Sequence, residues 1–131
     1  MPHFIDSSAF FAWTDEKSPE GSQIEATLAQ TRSPLITSNL VFAETISLIT
    51  KRIGKFKGRE LGEKIRKSRT IQVARITEAE ENEAWKMYLR YADKDFDFID
   101  ATSFVFCKKN GIKEVFTLDH HFAQMGFKVQ P

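Results

Sequence analysis

The chain has 131 residues and a mass of 15.1 kDa, so one domain over residues 1–131 is expected, with little room for two. A hydrophobic fraction of 41% and a charged fraction of 28% exclude disorder as the main state. No apolar stretch approaches the ~20 residues that span a bilayer. The start, MPHFIDSSAFFAW, has no basic residue ahead of its apolar part and holds an Asp within it, unlike a secretory signal. Cys107 is the sole cysteine, which excludes an internal disulfide and a cysteine-held zinc cluster; a reducing, cytoplasmic setting is expected.

The net charge of +1 hides an uneven distribution. Ten basic residues lie between Lys51 and Arg75, opposed only by Glu60 and Glu63. Eight acids lie between Glu78 and Asp100, against Lys86, Arg90 and Lys94. Two readings stand: two solvated helix faces, or a basic surface that gathers a polyanion beside a site that needs negative charge.

His3 to Ile5 reads as a first strand. Ser7 or Ser8 is a candidate cap for a helix over Ala9 to Trp13, because a hydroxyl there accepts a free backbone N–H. Pro19 suits a first helical position and predicts a second helix to Gln30. Leu35 to Thr37 reads as a second strand. Ser38 or Asn39 then opens a long helix to Arg52 or Ile53, ended by Gly54, with Leu40, Ala43, Ile46, Ser47 and Ile49 or Thr50 near helical spacing.

Phe56 to Ser68 reads as a basic helix that Gly58 and Gly62 weaken. Thr70 to Ile76 alternates as a third strand. Thr77 and Glu80 have capping-box spacing and open a helix to about Tyr91, with Trp85, Tyr88 or Leu89, and Ala92 expected inward. Asp95 to Asp97 is a turn, and Ile99 to Lys109 an apolar helix stopped by Asn110-Gly111. Val115 to Leu118 is a fourth strand, Asp119 caps a short helix to Gln124, and Phe127 to Val129 is the last strand. Strands separated by helices predict an α/β fold with a central parallel sheet covered on both faces. Ligands of such sheets bind beyond the carboxyl ends of the strands, where the topology reverses.

Four acids meet that criterion. Asp6 ends the first strand, Asp119 follows the fourth, Glu44 lies in the helix after the second, and Asp100 opens an apolar helix. Each interrupts an apolar stretch that holds no Lys or Arg to pair with it. Taken singly, Asp6 and Asp119 also read as helix caps, Glu44 as a surface residue, and Asp100 as an acid favoured by a helix dipole. Together, four carboxylates without a counter-ion repel one another, and a hard divalent cation removes the repulsion. Mg²⁺ or Mn²⁺ prefers oxygen ligands and binds phosphates; it activates water and stabilises charge that develops at phosphorus. Beside a basic segment, that set points to nuclease chemistry.

The chain resembles the PIN domain, and within it the VapC-type toxin ribonucleases of toxin–antitoxin pairs. The resemblance rests on Phe4-Ile-Asp6-Ser-Ser-Ala, Thr37-Ser-Asn-Leu-Val-Phe-Ala-Glu44, Asp95-Phe-Asp-Phe-Ile-Asp100-Ala-Thr-Ser-Phe104 and Val115-Phe-Thr-Leu-Asp119-His-His-Phe122, in order along essentially the whole chain. It implies a three-layer α/β/α sandwich and Mg²⁺- or Mn²⁺-dependent endonucleolytic cleavage of RNA by a toxin held by a small protein antitoxin. It also implies a homodimer.

By the same resemblance Asp6, Asp100 and Glu44 hold the first ion and orient the attacking water, and Asp119 completes the site. Ser7 and Thr117 are near-site positions, with Thr117 expected on the strand face of Asp119. Asp97 stands where the family often has Ser, so it faces solvent, supports the site or adds a ligand. His120 and His121 are candidates for acid–base work or for packing beside Phe122. Trp13 and Trp85 are expected in the core or on a dimer face. Arg52, Lys55 and Lys57 are candidate phosphate contacts.

Two rivals remain open on the sequence. A phosphoryl-transfer domain also places an Asp after its first strand, but Ser8 stands where dehalogenase-like hydrolases want a second Asp. A PIN-fold module that binds RNA or a partner without cutting, or a non-toxin RNA-processing nuclease, is the other.

Overall fold

A computed structural model describes residues Met1–Gln130. Five strands are described: β1 (His3–Ile5), β2 (Leu35–Ser38), β3 (Ile71–Ala74), β4 (Glu114–Phe116) and β5 (Lys128–Gln130). The helices are α1 (Ser7–Thr14), α2 (Gly21–Gln30), α3 (Asn39–Arg52), α4 (Lys55–Lys67), α5 (Glu78–Arg90), α6 (Phe98–Lys109) and α7 (His120–Gln124). The strands form one parallel sheet in the order β3-β2-β1-β4-β5. From β1 the chain winds outward to β3 and then crosses back to β4 on the other side of β1. Right-handed crossovers in opposite directions put α1–α4 on one face and α5–α7 on the other. The expected α/β/α sandwich is the observed architecture.

The topology therefore reverses between β1 and β4, whose register pairs Phe4 with Val115 and Ile5 with Phe116. The Asp6 N–H extends this pairing to the Phe116 carbonyl at 3.0 Å. The sheet centre is apolar on both faces, as parallel sheets require. Phe4, Ile5, Val115 and Phe116 are buried, with Phe10, Val41 and Ile49 among the buried helix residues. Phe104 meets Phe122 and Phe96 edge-on at 4.9 and 5.2 Å between ring centroids and stacks on Phe127 at 6.0 Å.

Several element boundaries differ from expectation for local reasons. α2 starts at Gly21 after Glu20, with Pro19 in the preceding turn. A side chain at Gly21 would place its Cβ 2.4 Å from the Ala12 carbonyl, so the absence of one lets α2 lie against α1. β3 stops at Ala74 because the Ile76 N–H is drawn to the Asn39 side chain at 2.7 Å, out of the ladder. β4 stops at Phe116. Thr117 still donates to Gln130, but the N–H groups of Leu118 and Asp119 turn to side-chain hydroxyls.

The inward face of α5 is also shifted. Thr77 and Glu80 form the expected capping box, and Glu80 and Ala84 are buried, with Met87 and Tyr91 partly so. Trp85, Tyr88 and Leu89 instead stand 52%, 40% and 58% exposed. The apolar residues had the right spacing but lay one step around the helix from its packing face. Ala92 falls beyond the helix and is exposed.

Gly58 and Gly62, expected to weaken α4, form its contact with α3. A Cβ at Gly58 would lie 2.7 Å from Thr50 Oγ1, and one at Gly62 would lie 3.3 Å from Ile46 Cδ1. Trp13 is half-buried, with the Lys64 ammonium 4.4 Å from its ring centroid. No described helix is long and apolar enough to cross a membrane.

Candidate active site

Beyond the carboxyl ends of β1 and β4 lies an open cleft of about 580 Å³. Asp6 reaches it from the β1–α1 junction, where it occupies the position of a helix cap. Its carboxylate does not cap: no side-chain bond goes to the helix N–H groups. Nor does Ser7 or Ser8 cap α1 as expected, since the helix begins at Ser7 itself. Instead Asp6 Oδ2 accepts hydrogen bonds from Ser8 Oγ and Thr117 Oγ1, each at 3.0 Å. Oδ1 is buried and has no partner. An unpaired carboxylate oxygen on a residue only 2% exposed is costly unless something else meets it.

Asp100 comes from the first turn of α6. Asp97 caps that helix by accepting the Asp100 N–H at 2.8 Å, and Asp100 Oδ2 accepts the Asp97 N–H at 3.1 Å. One Asp100 oxygen is thereby engaged and the carboxyl group is held over the cleft. Asp119 caps α7, its Oδ1 accepting the His121 N–H at 2.9 Å. Asp6, Asp100 and Asp119 each present an oxygen within 4.8 Å of the others. Glu44 lines the same cleft but lies outside this close group. All four expected acids thus line one cleft, with Asp6, Asp100 and Asp119 as the close trio and Glu44 beside them.

The electrostatics follow from burial and like charge. Burial raises the Asp6 carboxyl above its ordinary value; the Thr117 hydroxyl, the nearby Ser7 backbone N–H and the Ser8 hydroxyl oppose this, and the charge of Asp119 adds to it. Asp100 is pushed up to about 8, first by burial and then by the neighbouring charge of Asp97, with Asp6 and Asp119 contributing. Glu44 is raised by burial, against a hydrogen bond from Ser7, and by the charges of Asp97, Asp6 and Asp119. These carboxyls lack a positive partner: none takes part in an ion pair among the described residues. An all-oxygen trio with an orphaned buried oxygen fits a hard divalent cation.

Glu44, Leu48 and Arg52, at i, i+4 and i+8 of α3, form one wall of the cleft. The Arg52 guanidinium carbon lies 5.7 Å from the Phe11 ring centroid, at the open side. Lys17 and Pro19 of the α1–α2 connection and Leu118 complete the rim. Lys55 lines a separate groove with Phe42 and Ile46, and Lys57 pairs with Glu16 at 3.2 Å and Glu60 at 3.5 Å. Neither lysine lines the acidic cleft. Thr117 lies past the end of β4 rather than on a strand face with Asp119; it touches Asp119 through its hydroxyl, which accepts the Asp119 N–H at 2.9 Å.

His120 is exposed. His121 meets Phe96 edge-on at 6.3 Å, and its Nδ1 lies 2.7 Å from Asp119 Oδ1 without hydrogen-bond alignment. Ser8 and Lys17 are cleft residues that the linear reading did not single out as site residues. Ser8 read as a helix cap, and Lys17 lies outside the basic run.

The family model of the PIN domain matches residues 3–128. The chain belongs to the PIN domain family. Among curated relatives of this PIN domain, the 23S rRNA-specific endonuclease VapC20 of Mycobacterium tuberculosis is 30% identical over 129 residues, 98% of each chain. The crystal structure of Mycobacterium tuberculosis VapC20, described as a sarcin–ricin loop cleaving toxin, superposes with a TM-score of 0.90 at 28% identity, covering 97% of this chain and 96% of that one. VapBC2 of Rickettsia felis, solved with a DNA fragment from its promoter, shares the fold with a TM-score of 0.72 at 11% identity over 99% and 98% of the chains. FitAcB of Neisseria gonorrhoeae does so with a TM-score of 0.71 at 16% identity over 100% and 97%.

Proposed function

We propose that this PIN domain is a divalent-metal-dependent endoribonuclease and the toxin of a toxin–antitoxin pair, acting in the cytoplasm on ribosomal RNA. The observation that carries the reading is the Asp6, Asp100 and Asp119 trio, with its orphaned buried oxygen, at the topological switch point of the sheet. Whole-length homology to a 23S rRNA-specific endonuclease supports the substrate class and makes 23S rRNA the first target to test. A small protein antitoxin and a homodimeric state belong to the same reading.

Asp6, Asp100 and Asp119 would hold Mg²⁺ or Mn²⁺. When bound, such an ion stabilises the negative charge that builds on a phosphate during in-line displacement. Glu44 shares the cleft, and burial raises its carboxyl above the ordinary value; it is suited to orient a water and accept its proton as the water attacks phosphorus. Arg52 stands on the same helix face two turns on, at the mouth, where it meets the phosphate of a neighbouring nucleotide. Asp97 holds Asp100 in place through the cap and adds negative charge to the site.

The test is cleavage of purified ribosomes and of a fluorescent RNA pool by protein freed of any co-purifying partner. Lanes carry Mg²⁺, Mn²⁺ or EDTA, with Asp100→Asn alongside. The expected outcome is metal-dependent cutting that is lost in EDTA and in the variant. Cutting by Asp100→Asn at the wild-type rate, or cutting in EDTA, overturns the reading.

A further inference from the structure

We propose that Ser8 is a positioning residue for the metal site, acting with Thr117 as a pair of hydroxyls that locks Asp6 Oδ2 and leaves Oδ1 as the only oxygen offered to the ion. The inference rests on the metal-site reading above and assigns Ser8 a role within it.

The argument is a count of protons. Ser8 Oγ accepts the Leu118 N–H at 2.9 Å, and Thr117 Oγ1 accepts the Asp119 N–H at 2.9 Å. Each hydroxyl carries one proton, and each lies 3.0 Å from Asp6 Oδ2. An ionised carboxylate is the stronger acceptor, so both protons point to it. The two hydroxyl oxygens are also 3.0 Å apart, but with both protons committed that separation closes a triangle and is not a third bond. Two chains result, each running from a backbone N–H through a hydroxyl to Oδ2, and such chains strengthen bond by bond.

Two consequences follow. Asp6 cannot rotate to offer Oδ2 without breaking both bonds, so it meets an ion through one oxygen at a set angle. The loop carrying Asp119 is also tied to Asp6 across more than a hundred residues of sequence, so two acids of the trio are placed by one device. Partners that orient ligands in this way commonly contribute 10–100-fold to metal affinity.

The experiment titrates Mn²⁺ alone into the full chain and follows free Mn²⁺ by electron paramagnetic resonance. The proteins are the wild type, Ser8→Ala, Ser8→Thr, Thr117→Val and Asp6→Asn, each with a melting curve and RNA-cleavage kinetics. Ser8→Ala and Thr117→Val are expected to weaken Mn²⁺ by about tenfold. They should lower kcat and leave KM for RNA within about twofold, while Ser8→Thr keeps the hydroxyl and the affinity. Should Thr117→Val not fold, Ser8→Ala decides alone, since Ser8 is only half-buried. Binding lost in Asp6→Asn but retained in Ser8→Ala overturns the Ser8 role alone, as does a fall in Tm without a fall in affinity. A wild type that binds no Mn²⁺, or binds it equally after Asp6→Asn, overturns the metal-site reading and this inference with it.

Discussion

Asp97 and Asp100 cap one another: the Asp97 carboxylate accepts the Asp100 N–H at 2.8 Å, and the Asp100 carboxylate accepts the Asp97 N–H at 3.1 Å. The pair thus combines two effects that substitutions separate. Asp97→Ala removes the cap and is expected to cost about 1 kcal/mol, seen as a lower Tm. Asp97→Ser keeps a capping oxygen and removes the charge that helps raise Asp100. Its Mn²⁺ binding should persist to lower pH than that of the wild type, with Tm nearly unchanged. Mn²⁺ titrations one unit below and one above the Asp100 value of about 8 measure the difference.

Raised carboxyls make metal-free stability depend on pH with a definite sign. Asp100 titrates at about 8 in the folded protein against 3.8 as the ordinary value, and Asp6 and Glu44 are shifted the same way. Between those values the folded chain holds protons that the unfolded chain has released. The stabilising contribution is therefore full below the ordinary carboxylate range and is lost as pH rises through about 8. Melting curves in EDTA should show Tm falling over that window. Asp100→Asn should flatten the fall and be the more stable protein at its upper end. Adding Mn²⁺ should raise the wild-type Tm most at high pH, because metal and proton compete for the same oxygens.

Arg52 lines the acidic cleft, whereas Lys55 lies in a different groove. Arg52→Ala is expected to raise KM for RNA and to reduce the slope of log affinity against log salt by about 0.7, the value for one phosphate on a single strand. Lys55→Ala should leave cleavage kinetics in the cleft unchanged. Binding of a short RNA at several salt concentrations checks both.

Phe104 is fully buried among three other phenylalanines. Phe104→Ala should cost about 3–5 kcal/mol, the range for deleting a buried aromatic ring. Urea denaturation should show a lower midpoint with an unchanged slope.

The local signals were legible in the chain. Thr77 and Glu80 form the predicted capping box, Ser38 caps α3, and Gly111 takes the left-handed conformation after α6 at φ 68°. Each depends on residues a few positions apart. The inward face of α5 was not legible, because spacing sets which residues share a face and not which face meets the core. Trp85 and Leu89 share one stripe, and Ala84 and Met87 another; packing against α6 chose the second.

The sequence by itself determined which acids stand at strand ends and helix starts, since a charge that interrupts an apolar run marks its own position. It also determined the alternation of strand and helix, which admits few architectures other than a covered parallel sheet. Only the tertiary structure decided that β1 lies beside β4, and hence that Asp6, Asp100 and Asp119 bring oxygens within 4.8 Å of one another. It likewise decided that Ser8 turns its hydroxyl to Asp6 rather than capping α1. The physical reason is shared. Parallel neighbours are joined by crossovers and not by hairpins, so strand order has no local signature. A hydroxyl with one proton goes to whichever acceptor the folded chain brings near.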